Sequence, residues 1–330
     1  MSDLMERPKL AFSADALRLD AAAETDRIAA ALREQVLRRL RKRGVVLGLS
    51  GGIDSSVTAA LCARALGREK VFAVLMPEKD SDPASLRLGR LMVETLGIAS
   101  VVEDIAPILA AAGCYERRNA CIRQLVPAFG AGWGCKLAIA NALAGDGYSL
   151  TQLVVQAPDG AQQKLRMPLE VYLGIVAATN MKQRTRKQIE YYHADRLNYA
   201  VAGTPNRLEY DQGFFVKNGD GAADVKPIAH LYKSQVYQLA AHLGVPEEIR
   251  CRPPTTDTWS LAQTQDEFYF SLPYDRMDLC LYGLDHGISA TAVGRAAGLS
   301  EDQVERVWRD IQAKRKATRH LHEPPLLVEP

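Results

Sequence analysis

Two periods of apolar and polar positions run along this chain. A short apolar run rich in β-branched residues lies at Val45–Leu49 and a second apolar run at Val71–Met76, and shorter strand-like stretches lie at Ser100–Asp104 and Tyr199–Ala202. Their length and the turn signals after them, Pro77 and Gly203-Thr204 among them, predict strands. Elsewhere apolar residues return every three or four positions. That spacing predicts helices within 14–43 (Leu32, Val36, Leu37, Leu40), from Ser55 to Leu66, over 84–96 and 180–196, from Ser234 to Leu243, and over 289–297 and 301–317. Gly244 and Pro246 stop one helix, and Ser300-x-x-Gln303 forms a capping box that starts another. Strands alternating with helices predict an α/β fold, a doubly wound and mostly parallel sheet with helices on both faces. Ligands of such sheets bind beyond the carboxyl ends of the strands, so the corners at Ser50, Met76 and Thr204 are expected to converge.

Residues 111–170 interrupt the alternation. They hold the glycine cluster Gly130–Gly134, an apolar stretch to Leu143, Gly145-Asp-Gly147, and a hairpin. The hairpin arms are Leu150–Gln156 and Gln162–Met167, turning on Pro158-Asp159-Gly160. This segment reads as an insertion without a core of its own. It interrupts a single domain spanning 1–330, which ends in a helical segment at about 285–320.

The chemistry begins at the first strand end, Gly48-Leu-Ser-Gly-Gly-Ile-Asp-Ser55. Adjacent glycines let an anion approach the backbone, and the helix beyond offers unpaired N–H groups and a positive dipole end. Ser50, Ser55 and Ser56 add hydroxyls. Asp54 would repel a phosphate unless a cation lay between them, so it reads as a Mg²⁺ ligand. The loop lacks the lysine of a Walker A motif and the spacing of a Gly-x-Gly-x-x-Gly motif.

Composition removes other classes. Lys plus Arg number 41 against 39 for Asp plus Glu, a net of +2, which gives no reason to expect nucleic acid. No apolar run nears the ~20 residues of a membrane span, and the N-terminus lacks the apolar stretch of a signal peptide. The cysteines at 62, 114, 121, 135, 251 and 280 form no Cys-x-x-Cys pair, so free thiols in the cytoplasm are expected.

The loop resembles the Ser-Gly-Gly-x-Asp-Ser loop of the PP-loop ATP pyrophosphatases, which cleave ATP between the α- and β-phosphates. A second stretch makes the resemblance specific. Gly203-Thr204, Glu209, Gly213-Phe-Phe-x-Lys217-x-Gly-Asp-Gly-x-x-Asp224, Pro227-Ile, and Leu231-Tyr-Lys233 with Gln235 resemble the pattern of the NAD synthetases. Leu243–Ile249 and Pro253–Asp257 continue it, and the likeness covers roughly residues 25–110 and 180–325. It implies the adenine nucleotide alpha hydrolase-like fold and the ammonia-dependent type of synthetase. Such an enzyme uses ATP and Mg²⁺ to adenylate nicotinic acid adenine dinucleotide, then amidates it to NAD, releasing AMP and pyrophosphate.

By that resemblance Asp54, Glu209 and Lys233 are the catalytic group, with Asp54 and Glu209 ligating the metal. ATP is held by Gly48, Leu49, Ser50, Gly51, Gly52, Ile53, Asp54, Ser55, Met76, Thr204, Lys233 and Thr255. The dinucleotide is held by Arg184, Lys217, Asp224 and His320. A homodimer is implied. A chain of 330 residues has no room for a glutaminase as well, so ammonia is expected free or from a separate glutaminase. The alternative is a PP-loop ligase that amidates a different adenylated carboxylate.

Overall fold

A computed structural model describes residues 12–139, 151–255, 258–270 and 272–328, without the side chains of Asp266 and Glu267. The apolar stretch to Leu143, the Gly145-Asp-Gly147 turn, Leu150, and Thr256-Asp257 lie outside the described residues.

The first half carries α1 (Ala21–Arg33), β1 (Val45–Gly48), α2 (Ile53–Leu66), β2 (Val71–Leu75), α3 (Pro83–Leu96), β3 (Ala99–Val102), α4 (Ala106–Ala111) and α5 (Cys114–Arg123). The insertion follows with β4 (Gly134–Ile139), β5 (Thr151–Gln156) and β6 (Gln162–Arg166). Then come α6 (Leu169–Leu197), β7 (Ala200–Val201), α7 (Arg207–Gln212), α8 (Lys233–His242), α9 (Glu247–Cys251), α10 (Tyr274–Asp285), α11 (Ala290–Ala297) and α12 (Glu301–His322).

The main sheet runs β3-β2-β1-β7, and each pairing is parallel. Val45 stands opposite Val71 on one side and Ala200 on the other. β1, β2 and β7 are covered on both faces and read as unbroken apolar runs, whereas β3 at the sheet edge is largely exposed. Val45 and Leu47 pack toward α1, α2, α3 and α8, through Leu32, Leu61, Met92 and Leu239. Val46, Val74 and Val201 face Ala194 and Leu197 of α6. Nearly every α2 side chain from Ile53 to Cys62 is buried, because that helix lies under the sheet. A separate cluster joins α10, α11 and α12 through Leu281, Val293 and Ile311.

The structure alters two expectations. The long helix starts at Leu169, eleven residues before the predicted start. Its first half is apolar, since Val171 and Ile175 pack under the insertion, and the polar pattern begins only beyond it. The insertion also has a core. β4, β5 and β6 form an antiparallel sheet whose Leu137, Leu153 and Val155 pack on Ile122, Phe129, Ile175 and Trp259. The predicted hairpin is present, with Gln156 paired to Gln162, and β4 adds a third strand.

Candidate active site

The ends of β1, β2 and β7 open into one cavity of about 1120 Å³. That exceeds the roughly 300–1,000 Å³ of a site for a single small ligand. The three corners converge as expected. Gly48, Leu49, Ser50, Gly52, Ile53, Asp54, Ser55, Met76, Thr204, Glu209 and Thr255 line the cavity, and so do Arg184, Lys217 and His320.

The loop after β1 is shaped by its two special glycines. Gly51 has φ +73°, and a Cβ there would come within 2.5 Å of the Ser85 carbonyl oxygen, so it turns away from the cavity against α3. Gly48 leaves room for Glu190, whose Oε1 would lie 2.8 Å from an added Cβ. The Ser50 and Ser55 hydroxyls are 3.1 Å apart, and Ser55 and Ser56 Oγ donate to the Gly52 carbonyl. No side chain among the described residues caps the first amides of α2. They remain open at the positive end of a fourteen-residue helix, an arrangement suited to phosphate.

Beside this loop stands a buried charged group. Lys233 Nζ donates to Asp54 Oδ2, and the lysine is fully buried. Asn206 Nδ2 donates to Asp54 Oδ1 at 3.2 Å. Asn206 is also the N-cap of α7, and its backbone N–H donates to Glu209 Oε2 at 3.1 Å. Gln265 Nε2 donates to Glu209 Oε1 at 3.2 Å. Burial, with the Asp54 charge beside it, pushes the Glu209 carboxyl up to about 8. Desolvation alone would lower the Lys233 ammonium, but Asp54 and Glu209 overcome it and hold the pKa above its ordinary value. Two carboxylates thus share one ammonium, and at neutral pH a proton on Glu209 supplies the missing positive charge.

That deficit fits a hard divalent cation. Among the described residues no group of three or more His, Cys, Asp or Glu side chains could hold a metal alone. Asp54 and Glu209 offer the oxygens Mg²⁺ prefers, and phosphate oxygens and water would complete its shell.

Lys233 does not line the cavity; it sits behind Asp54. The α8 amides of Lys233 and Ser234 donate to the Asp278 carboxylate at 3.2 and 2.7 Å, so they are not open to phosphate. Asp224 does not reach the cavity either. Its Oδ2 accepts from the Val201 N–H at 2.7 Å, which caps the outer edge of β7. In the Gly219-Asp220-Gly221 turn the Gly219 and Gly221 amides donate to the Val216 carbonyl and are not open to an anion. Arg184 Nε donates to Lys217 O at 3.2 Å, and Lys217 Nζ to His320 O at 2.8 Å, forming a connected rim.

Several cavity groups were not singled out from the sequence. Asn180, Gln183, Lys187 and Glu190 recur at three- and four-residue spacing on α6, a legible helix face, and all line the cavity. Lys187 Nζ donates to Glu190 Oε2 at 2.7 Å. Asp220, half-buried and lining the cavity, has its carboxyl raised by desolvation. Asn206, which joins Asp54 to Glu209, shows only as an N-cap residue three before a glutamate.

The family model for NAD synthase matches residues 24–124 and 153–324. The chain belongs to the NAD synthase family. The unmatched residues between those two stretches contain all of β4. The chain is 73% identical over 325 residues to the NH(3)-dependent NAD(+) synthetase of Rhizobium meliloti, covering 98% of this chain and 97% of that one. It is 37% identical over 244 residues to the enzyme of the same name from Thermotoga neapolitana, covering 74% and 78%. Its fold matches the NH3-dependent NAD synthetase from Campylobacter jejuni, solved with nitrate ion. That match has a TM-score of 0.61 and 23% identity, and covers 94% of this chain and all of that one.

Proposed function

We propose that this protein converts nicotinic acid adenine dinucleotide to NAD, with ATP as the activating substrate and ammonia as the nitrogen donor. The observation that carries this reading is the 73% identity, across nearly the whole chain, to an NH(3)-dependent NAD(+) synthetase. The cavity supports it, being roomy enough for two nucleotides and built around an uncapped helix N-terminus.

The substrate carboxylate attacks the α-phosphorus of ATP. The α–β phosphoanhydride bond breaks, and pyrophosphate leaves with its electron pair. Ammonia adds to the acyl-adenylate carbonyl, loses a proton, and AMP departs, leaving the amide. The Gly48–Ser55 loop and the first α2 amides hold the phosphates. Asp54 and Glu209 would hold Mg²⁺, which would offset phosphate charge and so let an anion approach an anion. Lys233 fixes the Asp54 carboxylate, and Thr204 and Thr255 border the nucleotide. Arg184, Lys217 and His320 form the rim where the dinucleotide lies. No protein nucleophile is required, and orientation supplies much of the rate. The chain works as one domain of a cytoplasmic homodimer, with 111–170 as an insertion. It takes ammonia free or from a separate glutaminase. Among the described residues, no helix is long and apolar enough to cross a membrane.

The test is incubation with ATP, Mg²⁺, ammonium and nicotinic acid adenine dinucleotide. NAD, AMP and pyrophosphate are expected in equal amounts. ADP as the nucleotide product, or amide formed only from another acid such as nicotinic acid mononucleotide, would overturn the reading.

A further inference from the structure

A second group of buried charges lies along the cavity wall, apart from Asp54 and Glu209. Lys182 of α6 is fully buried, and its ammonium spends all three of its hydrogens. It donates to Glu78 Oε1 at 2.8 Å, to Asp80 Oδ2 at 2.7 Å and to the Thr258 carbonyl at 2.7 Å. Arg118 of α5 also bonds Asp80, and the Tyr115 hydroxyl donates to Glu78 Oε2 at 2.8 Å. Two acids face two bases, so the group is neutral. Desolvation alone would raise the Asp80 carboxyl, yet Lys182 and Arg118 hold it below its ordinary value.

The partners of Lys182 come from separate walls of the cavity. Glu78 belongs to the corner after β2, and Thr258 opens the segment 258–265; both line the cavity, as do Trp259 and Gln265. The segment is gripped a second time by the insertion. Cys135 N–H donates to Ser260 Oγ at 2.9 Å, Leu261 N–H to Cys135 O at 3.3 Å, and Lys136 Nζ to Ala262 O at 3.1 Å. At its far end Gln265 reaches Glu209. A tether at Thr258 therefore helps to set where Gln265 meets Glu209.

We propose that Lys182 is a positioning residue, which ties the β2 corner to the 258–265 segment and so fixes the width of the nucleotide site between them. This rests on the reading of the cavity as the adenylation site. The neutrality of the group has a second consequence. Glu78 contributes to the wall without presenting an uncompensated negative charge to the phosphates.

The test uses the full chain with Lys182→Met, and the double variant Lys182→Met/Asp80→Asn. The single variant leaves two buried carboxylates against one guanidinium and is expected to unfold more readily. The double variant restores neutrality while the tether to Thr258 stays cut. It is expected to fold, to show faster amide hydrogen exchange confined to 258–265, and to raise the KM for ATP about tenfold with kcat within about threefold. Wild-type exchange and KM in the double variant would overturn the proposal. So would faster exchange spread through the whole chain with KM unchanged, since that would assign Lys182 to core stability alone. Exchange and calorimetric Mg-ATP binding need no turnover. If the wild-type protein made no NAD, the proposed function would fail, while these two measurements would still decide on Lys182.

Discussion

Around Asp54 the cavity is built from buried charges that bond one another, whereas the rim is built from exposed Arg184 and His320 and half-buried Lys217, whose side chains bond backbone carbonyls. Lys233 is fully buried, and its side chain ends on Asp54. Arg184 and His320 are exposed, and their side chains reach the carbonyls of Lys217 and Ala317. Low dielectric makes the first set strong and intolerant of change. Solvent screening makes the second set weak and replaceable. The inner group should therefore govern the rate of adenylation, and the rim should adjust affinity for the dinucleotide.

Asp54→Asn would test the inner side most severely. It removes a carboxylate that lines the cavity and accepts from Lys233. The fold should survive, because Glu209 is then free to ionise and pair with the lysine. We expect kcat/KM for ATP to fall about 10³-fold with far-UV circular dichroism unchanged. Retention of a tenth of wild-type activity would break the contrast between the two regions.

Glu209 gives the next largest effect and a pH signature. Its carboxyl is raised from 4.5 to about 8 in the ligand-free protein. A group raised in this way stabilises the fold fully below its unfolded pKa, and the contribution is lost as pH rises through the folded value. Glu209→Gln should therefore leave stability unchanged near pH 4 and increase it by about 3 kcal/mol at pH 7, read from urea melts without Mg²⁺. With Glu209 as the proposed metal ligand, binding of Mg-ATP would displace the proton held by Glu209. Its apparent affinity should strengthen from pH 6.5 to 8.5, with proton release seen by calorimetry in two buffers. The Gln variant should lose that release together with most activity. Binding independent of pH would detach Glu209 from the metal.

Gly51→Ala comes third. The added Cβ meets Ser85 O, Leu88 Cβ and Gly89 N at 2.5, 2.8 and 2.9 Å, on a backbone at φ +73°. Two of those atoms are main chain and cannot step aside. A loss of about 1–3 kcal/mol and a higher KM for ATP are expected. An unchanged melting temperature would show that the loop tolerates movement, which the inner group should not.

How much of this was legible in the sequence depended on the range of each interaction. The Gly48–Ser55 loop could be read because strand, turn and helix are contiguous. β1, β2 and β7 of the parallel sheet could be read because strands buried on both faces are apolar throughout. β4 could not. Gly134-Cys-Lys-Leu-Ala-Ile139 follows a glycine cluster and alternates only weakly, and its identity as a strand comes from pairing with β5. The start of α6 was misplaced because an apolar face against the insertion precedes the polar face at the cavity. Asp54 and Glu209 were named from a motif, but Asn206, which joins them, bonds across 152 positions of chain. Lys182 bonds Glu78 across 104. Ion pairs at such separations leave no spacing to read. Asp224 stands in the motif, yet its carboxylate serves the edge of β7, because a motif records which residues recur and not which wall each one faces.

The rim should give the small effects. Arg184→Ala removes an exposed guanidinium, so KM for the dinucleotide should rise about three- to tenfold with kcat little changed, and the difference should shrink in high salt. His320→Ala should do less still. The rim uses the His320 carbonyl, which accepts from Lys217 Nζ at 2.8 Å, while the exposed imidazole bonds, among the described residues, only the Ala317 carbonyl one turn back. Removing the ring leaves the backbone acceptor in place, so KM should stay within about twofold of wild type. Lys217→Met, which removes the donor, should exceed it. A larger effect from His320→Ala than from Lys217→Met would mean that the imidazole itself meets the substrate, and the rim would then hold a specific contact where the present geometry shows only a backbone brace.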